Sequence, residues 1–186
     1  MTASDIIAAL APLVPGVTFE ALAPADADVT PTILVPADAL LATCRALRTA
    51  PGLEFVAFSN VTAADFHPDR DPRFDVVYHL VSPHRRARVR LKVRIGDDQP
   101  LASVTGEWPG AGWPEREVYD LFGIVFDGHA DLRRLLMPDD WEGYPLRKDY
   151  PVQLRKDAGT AMPLQVTAEE FRANMERDRR VRTEPK

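Results

Sequence analysis

One cysteine, Cys44, stands in 186 residues. That excludes an internal disulfide and a cysteine-ligated iron–sulfur cluster built from this chain alone. No run approaches the ~18–20 continuous apolar residues of a membrane-spanning helix. The apolar stretch at residues 6–14 has no basic flank and is interrupted by Pro12, which argues against a signal peptide and for a cytosolic compartment. Neither GxGxxG nor GxxxxGK[ST] occurs, so no phosphate-cradling loop is evident. The four histidines, His67, His79, His84 and His129, do not fall at metal-ligand spacings. A basic excess is also lacking. The formal net charge is −5, with −3 over residues 1–112, −4 over 113–151 and +2 over 152–186, which argues against nucleic acid as a bulk partner.

What remains is ordinary for a globular domain: 45% hydrophobic and 27% charged residues, enough for one core. Seventeen prolines cluster in loops and near the termini. The pattern predicts a short helix over 5–13 capped by Ser4, a short strand at 32–35, and a helix from Pro36 ended by Pro51-Gly52. Leu40, Leu41, Cys44 and Leu47 lie on one side of that helix. Residues 54–62 read as a strand. Residues 74–82 and 87–95 read as a hairpin, its second strand alternating strictly between Val89, Leu91, Val93, Ile95 and Arg88, Arg90, Lys92, Arg94. The basic face admits three readings: a solvated outer face, a surface for an acidic protein, or a nucleic-acid module using residues 88–94. A further strand is expected at 101–105.

Residues 113–151 are the densest in constrained residue types. Pro114 to Phe122 reads as a helix, with Pro at its first position and Gly123 as its C-cap. At 100° per residue, Val118, Tyr119, Leu121 and Phe122 form an apolar sector that Glu115 shares, while Arg116, Glu117 and Asp120 face away. Glu115 either caps the first turn or pairs with an arginine, and Arg133, Arg134 and Arg147 are the nearest candidates. Acid–base work by Glu115, Glu117 and Asp120 in a stand-alone enzyme is the competing reading. Beyond the helix, Trp141, Tyr144 and Tyr150 sit with paired charges in a Pro/Gly-constrained loop. That is the composition of a docking surface, or of a loop folded back on its own core.

The spacing of Glu115-Arg116-Glu117, Asp120, Leu121-Phe122, His129, Arg133 and Leu135-Leu136, followed by Gly143-Tyr144-Pro145-Leu146-Arg147-Lys148-Asp149-Tyr150-Pro151, resembles the signature of the 30-kilodalton (C) subunit of proton-pumping NADH-quinone oxidoreductase. That enzyme is bacterial respiratory complex I. The resemblance extends more weakly over residues 30–151. It implies a non-redox scaffold in the peripheral arm, on the cytoplasmic face of the bacterial inner membrane, with membrane contact only through partners. No cofactor is expected in this chain; FMN, iron–sulfur clusters and quinone belong to partner subunits. The expected neighbours are the subunit that holds the terminal iron–sulfur cluster and the one that forms the quinone pocket. Glu115, Arg116, Glu117, Asp120, His129, Arg133, Arg134, Arg147 and Asp149 are expected at interfaces or in ion pairs that shape them, with Trp141, Tyr144 and Tyr150 as aromatic anchors. The equivalent subunit of a membrane-bound hydrogenase-type complex is the nearest alternative.

The fold expected is α+β: one domain over 1–151 with a mainly antiparallel sheet of about four strands, helices on one side, and a C-terminal extension over 152–186. In that extension Thr167 and Glu170 make a capping box for a short basic helix, expected to order against a partner.

Overall fold

The computed structural model describes residues 1–23 and 30–151. The helix expected from Thr167, and the extension as a whole, lie outside the described residues.

The architecture is α+β, with a mixed sheet of five strands in the order β1-β2-β5-β4-β3. The strands are β1 (Glu20–Leu22), β2 (Thr32–Leu34), β3 (Ala57–Asp65), β4 (Phe74–Ser82) and β5 (Ala87–Ile95). All neighbours are antiparallel except β2 and β5, which run parallel with Ile33 opposite Leu91. The β4–β5 hairpin follows the expected boundaries, because each inward residue on one strand meets an inward residue on the other: Phe74 with Ile95, Val76 with Val93, Tyr78 with Leu91 and Leu80 with Val89. These side chains form the core floor. The helices α1 (Ala3–Leu10), α2 (Leu40–Thr49) and α3 (Gly112–Phe122) close it with Ile6, Leu10, Leu40, Cys44, Leu47, Val118 and Phe122.

Local polar chemistry moves several boundaries. α1 starts earlier than expected because Thr2, not Ser4, is its N-cap: the Thr2 hydroxyl accepts from the Asp5 N–H, and the Asp5 carboxylate accepts from the Thr2 N–H. A 3₁₀ turn at Ala37–Ala39 separates Pro36 from α2. β3 begins three residues late, since Glu54 adopts φ +48° and the Leu53 and Glu54 amides bond back to the Ala50 carbonyl. The strand expected at 101–105 shrinks to β6 (Leu101–Ala102), which pairs in parallel with β7 (Phe126–Asp127). The Val104 amide leaves the ladder to bond a carboxylate of α3.

Candidate functional site

α3 carries the start of the signature. Its exposed Trp113 lies under the Arg116 guanidinium, 4.9 Å from ring centre to carbon, while Glu115 is fully buried. Among the described residues no arginine pairs with Glu115, so the arginine pair, one of the two sequence readings, is not what forms. The Ser103 hydroxyl donates to Oε2 at 2.7 Å, and the Val104 amide donates to Oε1 at 2.8 Å. His129 Nε2 stands 4.0 Å away. Neutral donors satisfy the oxygens without a cation. Burial therefore pushes the Glu115 carboxyl above its ordinary value, partly opposed by the Ser103 and Val104 bonds and by His129. His129 Nδ1 accepts from the Asp131 amide at 3.1 Å, so Nε2 carries the proton and donates to the Gly112 carbonyl at 3.0 Å.

Asp120 is likewise buried, not on the polar face where helical periodicity put it. Its Oδ2 accepts from three successive amides, Leu135, Leu136 and Met137, at 2.9, 2.6 and 2.8 Å. Its Oδ1 accepts from Arg134 Nη1 at 2.8 Å. Successive backbone N–H groups make a concave anion seat, and here the anion is a side chain of the same protein. Burial acts to raise the Asp120 pKa, but these amides and the Arg134 guanidinium hold it below the usual carboxylate range. Arg134 continues the chain of contacts, donating through Nη2 to the carbonyls of Trp141 (3.0 Å) and Gly143 (3.1 Å). Arg116 donates to the carbonyls of Arg133 (3.1 Å) and Arg134 (3.0 Å). Arg133 is exposed and pairs with Asp131, and Glu117 is exposed.

The end of the loop is held as firmly. Arg147 Nε donates to the Phe122 carbonyl at the end of α3 at 2.6 Å, and Nη1 pairs with Asp97 at 3.0 Å. The guanidinium lies 4.9 Å from the Tyr144 ring centre and 5.4 Å from that of Phe74. Asp149 accepts from Arg73 Nη2 at 2.7 Å. Tyr144 meets Tyr119 edge-on at 6.3 Å, and Trp141 stacks on Tyr150 at 6.3 Å. Thus Arg116, Asp120, Arg134, Arg147 and Asp149 all bind the irregular segment 128–151 to the body of the domain.

The profile of a family described as "Respiratory-chain NADH dehydrogenase, 30 Kd subunit" matches residues 33–156, which contain this whole arrangement. The chain belongs to that family. Its curated relatives include the NADH-quinone oxidoreductase C subunit of Sinorhizobium medicae, 50% identical over 114 residues, covering 61% of this chain and 56% of the relative. The C subunit of Roseiflexus sp. is 48% identical over 122 residues, covering 65% of this chain and 70% of the relative. The chain spans little more than half the length of the first of these. Among solved structures, a trypsin-resistant fragment of Nqo5 superposes with a TM-score of 0.51 at 31% identity, covering 63% of this chain and 90% of the fragment. A chain of an archaeal membrane-bound sulfane sulfur reductase, described as a respiratory membrane complex, gives 0.63 at 25% identity, covering 80% of this chain and 83% of that one.

For this member of the 30 Kd family, sequence reasoning missed several partners of the signature. Arg73 forms a two-pronged pair with buried Asp65 (2.9 and 2.7 Å) and also meets Asp97 at 2.7 Å. The Lys148 amide donates to Asp65 at 2.8 Å. Ser103 is unremarkable in sequence, and no spacing links it to Glu115. Glu107, which pairs with Arg45 at 2.9 Å and Arg48 at 3.4 Å, gives no signal either. A cleft of about 100 Å³ lies beside Phe74, Gly123, Ile124 and Arg147. That is below the roughly 300 Å³ at which small-molecule pockets begin.

Proposed function

We propose that this chain is a non-redox scaffold subunit in the peripheral arm of a proton-translocating NADH-quinone oxidoreductase. The observation that carries this reading is the use of the signature charges. Arg116, Asp120, Arg134 and Arg147 spend their hydrogen bonds on backbone amides and carbonyls of one loop and of the helix end beside it, and the cleft that Arg147 lines among the described residues holds only about 100 Å³. Groups bound in this way fix a surface rather than move protons or electrons. The single thiol supports the same reading: Cys44 is buried, and burial pushes its pKa up, so it is a poor ligand and a poor nucleophile. In this role FMN, iron–sulfur clusters and quinone are held by partner subunits, and the chain supports electron flow by positioning the subunit with the terminal cluster against the one with the quinone pocket. The complex sits on the cytoplasmic face of the bacterial inner membrane, and this chain meets the membrane only through partners. Among the described residues no helix is long and apolar enough to cross a bilayer.

Similarity to a chain of a sulfane sulfur reductase complex favours a second reading, the same scaffold in a different respiratory assembly. A tagged full-length chain, recovered from gently solubilised membranes and assayed for NADH–quinone activity, decides between them. Co-purification of iron–sulfur and quinone-site subunits with that activity supports the first reading. Partners lacking NADH–quinone activity favour the second. A chain recovered alone overturns both.

A further inference from the structure

The helices cover one face of the sheet, and their buried apolar residues join the core on that side. The opposite face of β4 and β5 presents Arg88, Arg90, Lys92 and Arg94, set across from Val81, His79, Val77 and Asp75. Three cations converge on the one carboxylate of this pair of strands. Lys92 lies 3.6 Å and Arg94 3.7 Å from Asp75, and Arg70 forms the direct hydrogen bond to it. Asp75 is only 3% exposed in its side chain, whereas Lys92 and Arg94 are 29% and 38% exposed. The carboxylate is thus buried beneath the cations, and a positive surplus faces outward. Arg88, two outward positions beyond Lys92, is exposed. This surplus stands out in a domain whose net charge is −7 over residues 1–151, from −3 and −4 over its two segments.

We propose that this face is a docking surface for an acidic helix on a neighbouring subunit of the same complex, a proposal that rests on the scaffold reading above. Alternate residues on a strand lie about 6.6–6.8 Å apart. Carboxylates four residues apart on a helix rise about 6 Å, which matches the step from Lys92 to Arg94; Arg88 lies about 13 Å from Lys92 along β5, within reach of a carboxylate two such helical steps further on. Val81, half-buried across from Arg88, offers apolar contact to such a helix. Nucleic acid fits less well. The outward residues of β4 and β5 include no Phe, Tyr or Trp ring on which bases could stack, and the acidic remainder of the domain repels an extended polyanion. An anionic bilayer meets the same repulsion and finds no aromatic or long apolar side chain here to insert. A folded acidic partner instead meets the patch within a Debye length of about 8–10 Å.

The test places a photo-cross-linking amino acid at position 88 of the full chain and assembles the complex in cells. Cross-linked peptides are then read by mass spectrometry beside co-purification of an Arg88→Glu variant. Because Arg88 is exposed, Arg88→Glu should leave thermal unfolding of the isolated chain unchanged. The expected result is a cross-link to a helix with Asp or Glu at i and i+4. Arg88→Glu should also lose about tenfold of its co-purified partner at low ionic strength, a difference that shrinks as salt is raised, with recovery when the cross-linked acid is changed to lysine. If the unsubstituted chain co-purifies with NADH–quinone activity but position 88 cross-links only lipid, nucleic acid or nothing, or if Arg88→Glu assembles normally, the docking proposal is overturned and the scaffold reading stands. An unsubstituted chain that recovers no partner overturns both.

Discussion

The Tyr144 ring fills the space that a side chain on Gly123 would occupy. Gly123 closes α3 with φ +76°, and a Cβ built there would overlap the tyrosine ring atoms. A left-handed cap and a ring packed on it thus tie the end of the helix to the middle of the signature loop. Gly123→Ala meets two penalties. The left-handed backbone costs roughly 1–2 kcal/mol for a residue with a Cβ, and Tyr144 must leave its contacts with Tyr119 and Arg147. Thermal unfolding should fall by more than the backbone penalty alone. Adding Tyr144→Ala to the same chain should then cost less than it does alone, a coupling that a double-mutant cycle reads directly.

Asp120→Asn removes the charge from the seat formed by the Leu135, Leu136 and Met137 amides and leaves Arg134 without its carboxylate. Hydrogen bonds to a charged group contribute about 1.5–3 kcal/mol, so a loss of this order is expected at neutral pH. The folded-state pKa of Asp120 is depressed. Its contribution is therefore fully present above the unfolded value of about 3.9 and is lost as pH falls through the folded value. Asp65, held well below the usual range against burial by Arg73 and the Lys148 and His67 amides, has the same sign. Melting temperatures recorded from pH 7 to pH 3 should drop less steeply below about pH 4 in Asp120→Asn than in the parent.

Glu115 gives the opposite slope. Burial raises its folded pKa, so its share of stability is fully present at and below the unfolded value of about 4.3 and declines as pH rises through the folded value. Glu115→Gln keeps the shape, with an oxygen to accept from the Val104 amide and a nitrogen to donate to the Ser103 hydroxyl. The variant should gain on the parent as pH rises above about 4.3, whereas Glu115→Ala should be destabilised throughout. A Gln variant that loses ground with rising pH would mean that the ionised carboxylate is the favoured form in the fold.

Much of the fold was legible because alternation and caps are local signals. Val89, Leu91, Val93 and Ile95 gave β5 to the residue, and Gly123 gave the end of α3. The site was legible as a segment but not as a geometry. Helical periodicity sends Asp120 outward because it weighs only side-chain polarity, while the amides that bury it come from residues 15 to 17 positions later. Glu115 finds Ser103 and Val104 rather than an arginine because β6 gives up its ladder just there. The parallel pairing of β2 with β5 joins strands separated by two helical and two strand segments, and no local pattern encodes that choice.

Arg73 links parts of the chain that no local signal connects, since it holds Asp65 on β3, Asp97 after β5 and Asp149 near the end of the loop. Its side chain is 9% exposed and that of Asp65 fully buried. Removing one partner of such a pair typically costs about 3–5 kcal/mol, because the other charge stays buried alone. Arg73→Ala should lower the melting temperature accordingly, by about 2–4 °C per kcal/mol for a chain of this size. The loss should also be local. With Asp149 released and Asp65 no longer set to receive the Lys148 amide, the peptide bonds after Arg147 and Lys148 should become the first trypsin cuts within residues 113–151, at temperatures well below global unfolding. Site-resolved mass spectrometry of brief digests reads this. Cleavage that appears only together with global unfolding would mean that Arg147 and the Leu146 amide hold the loop end without Arg73.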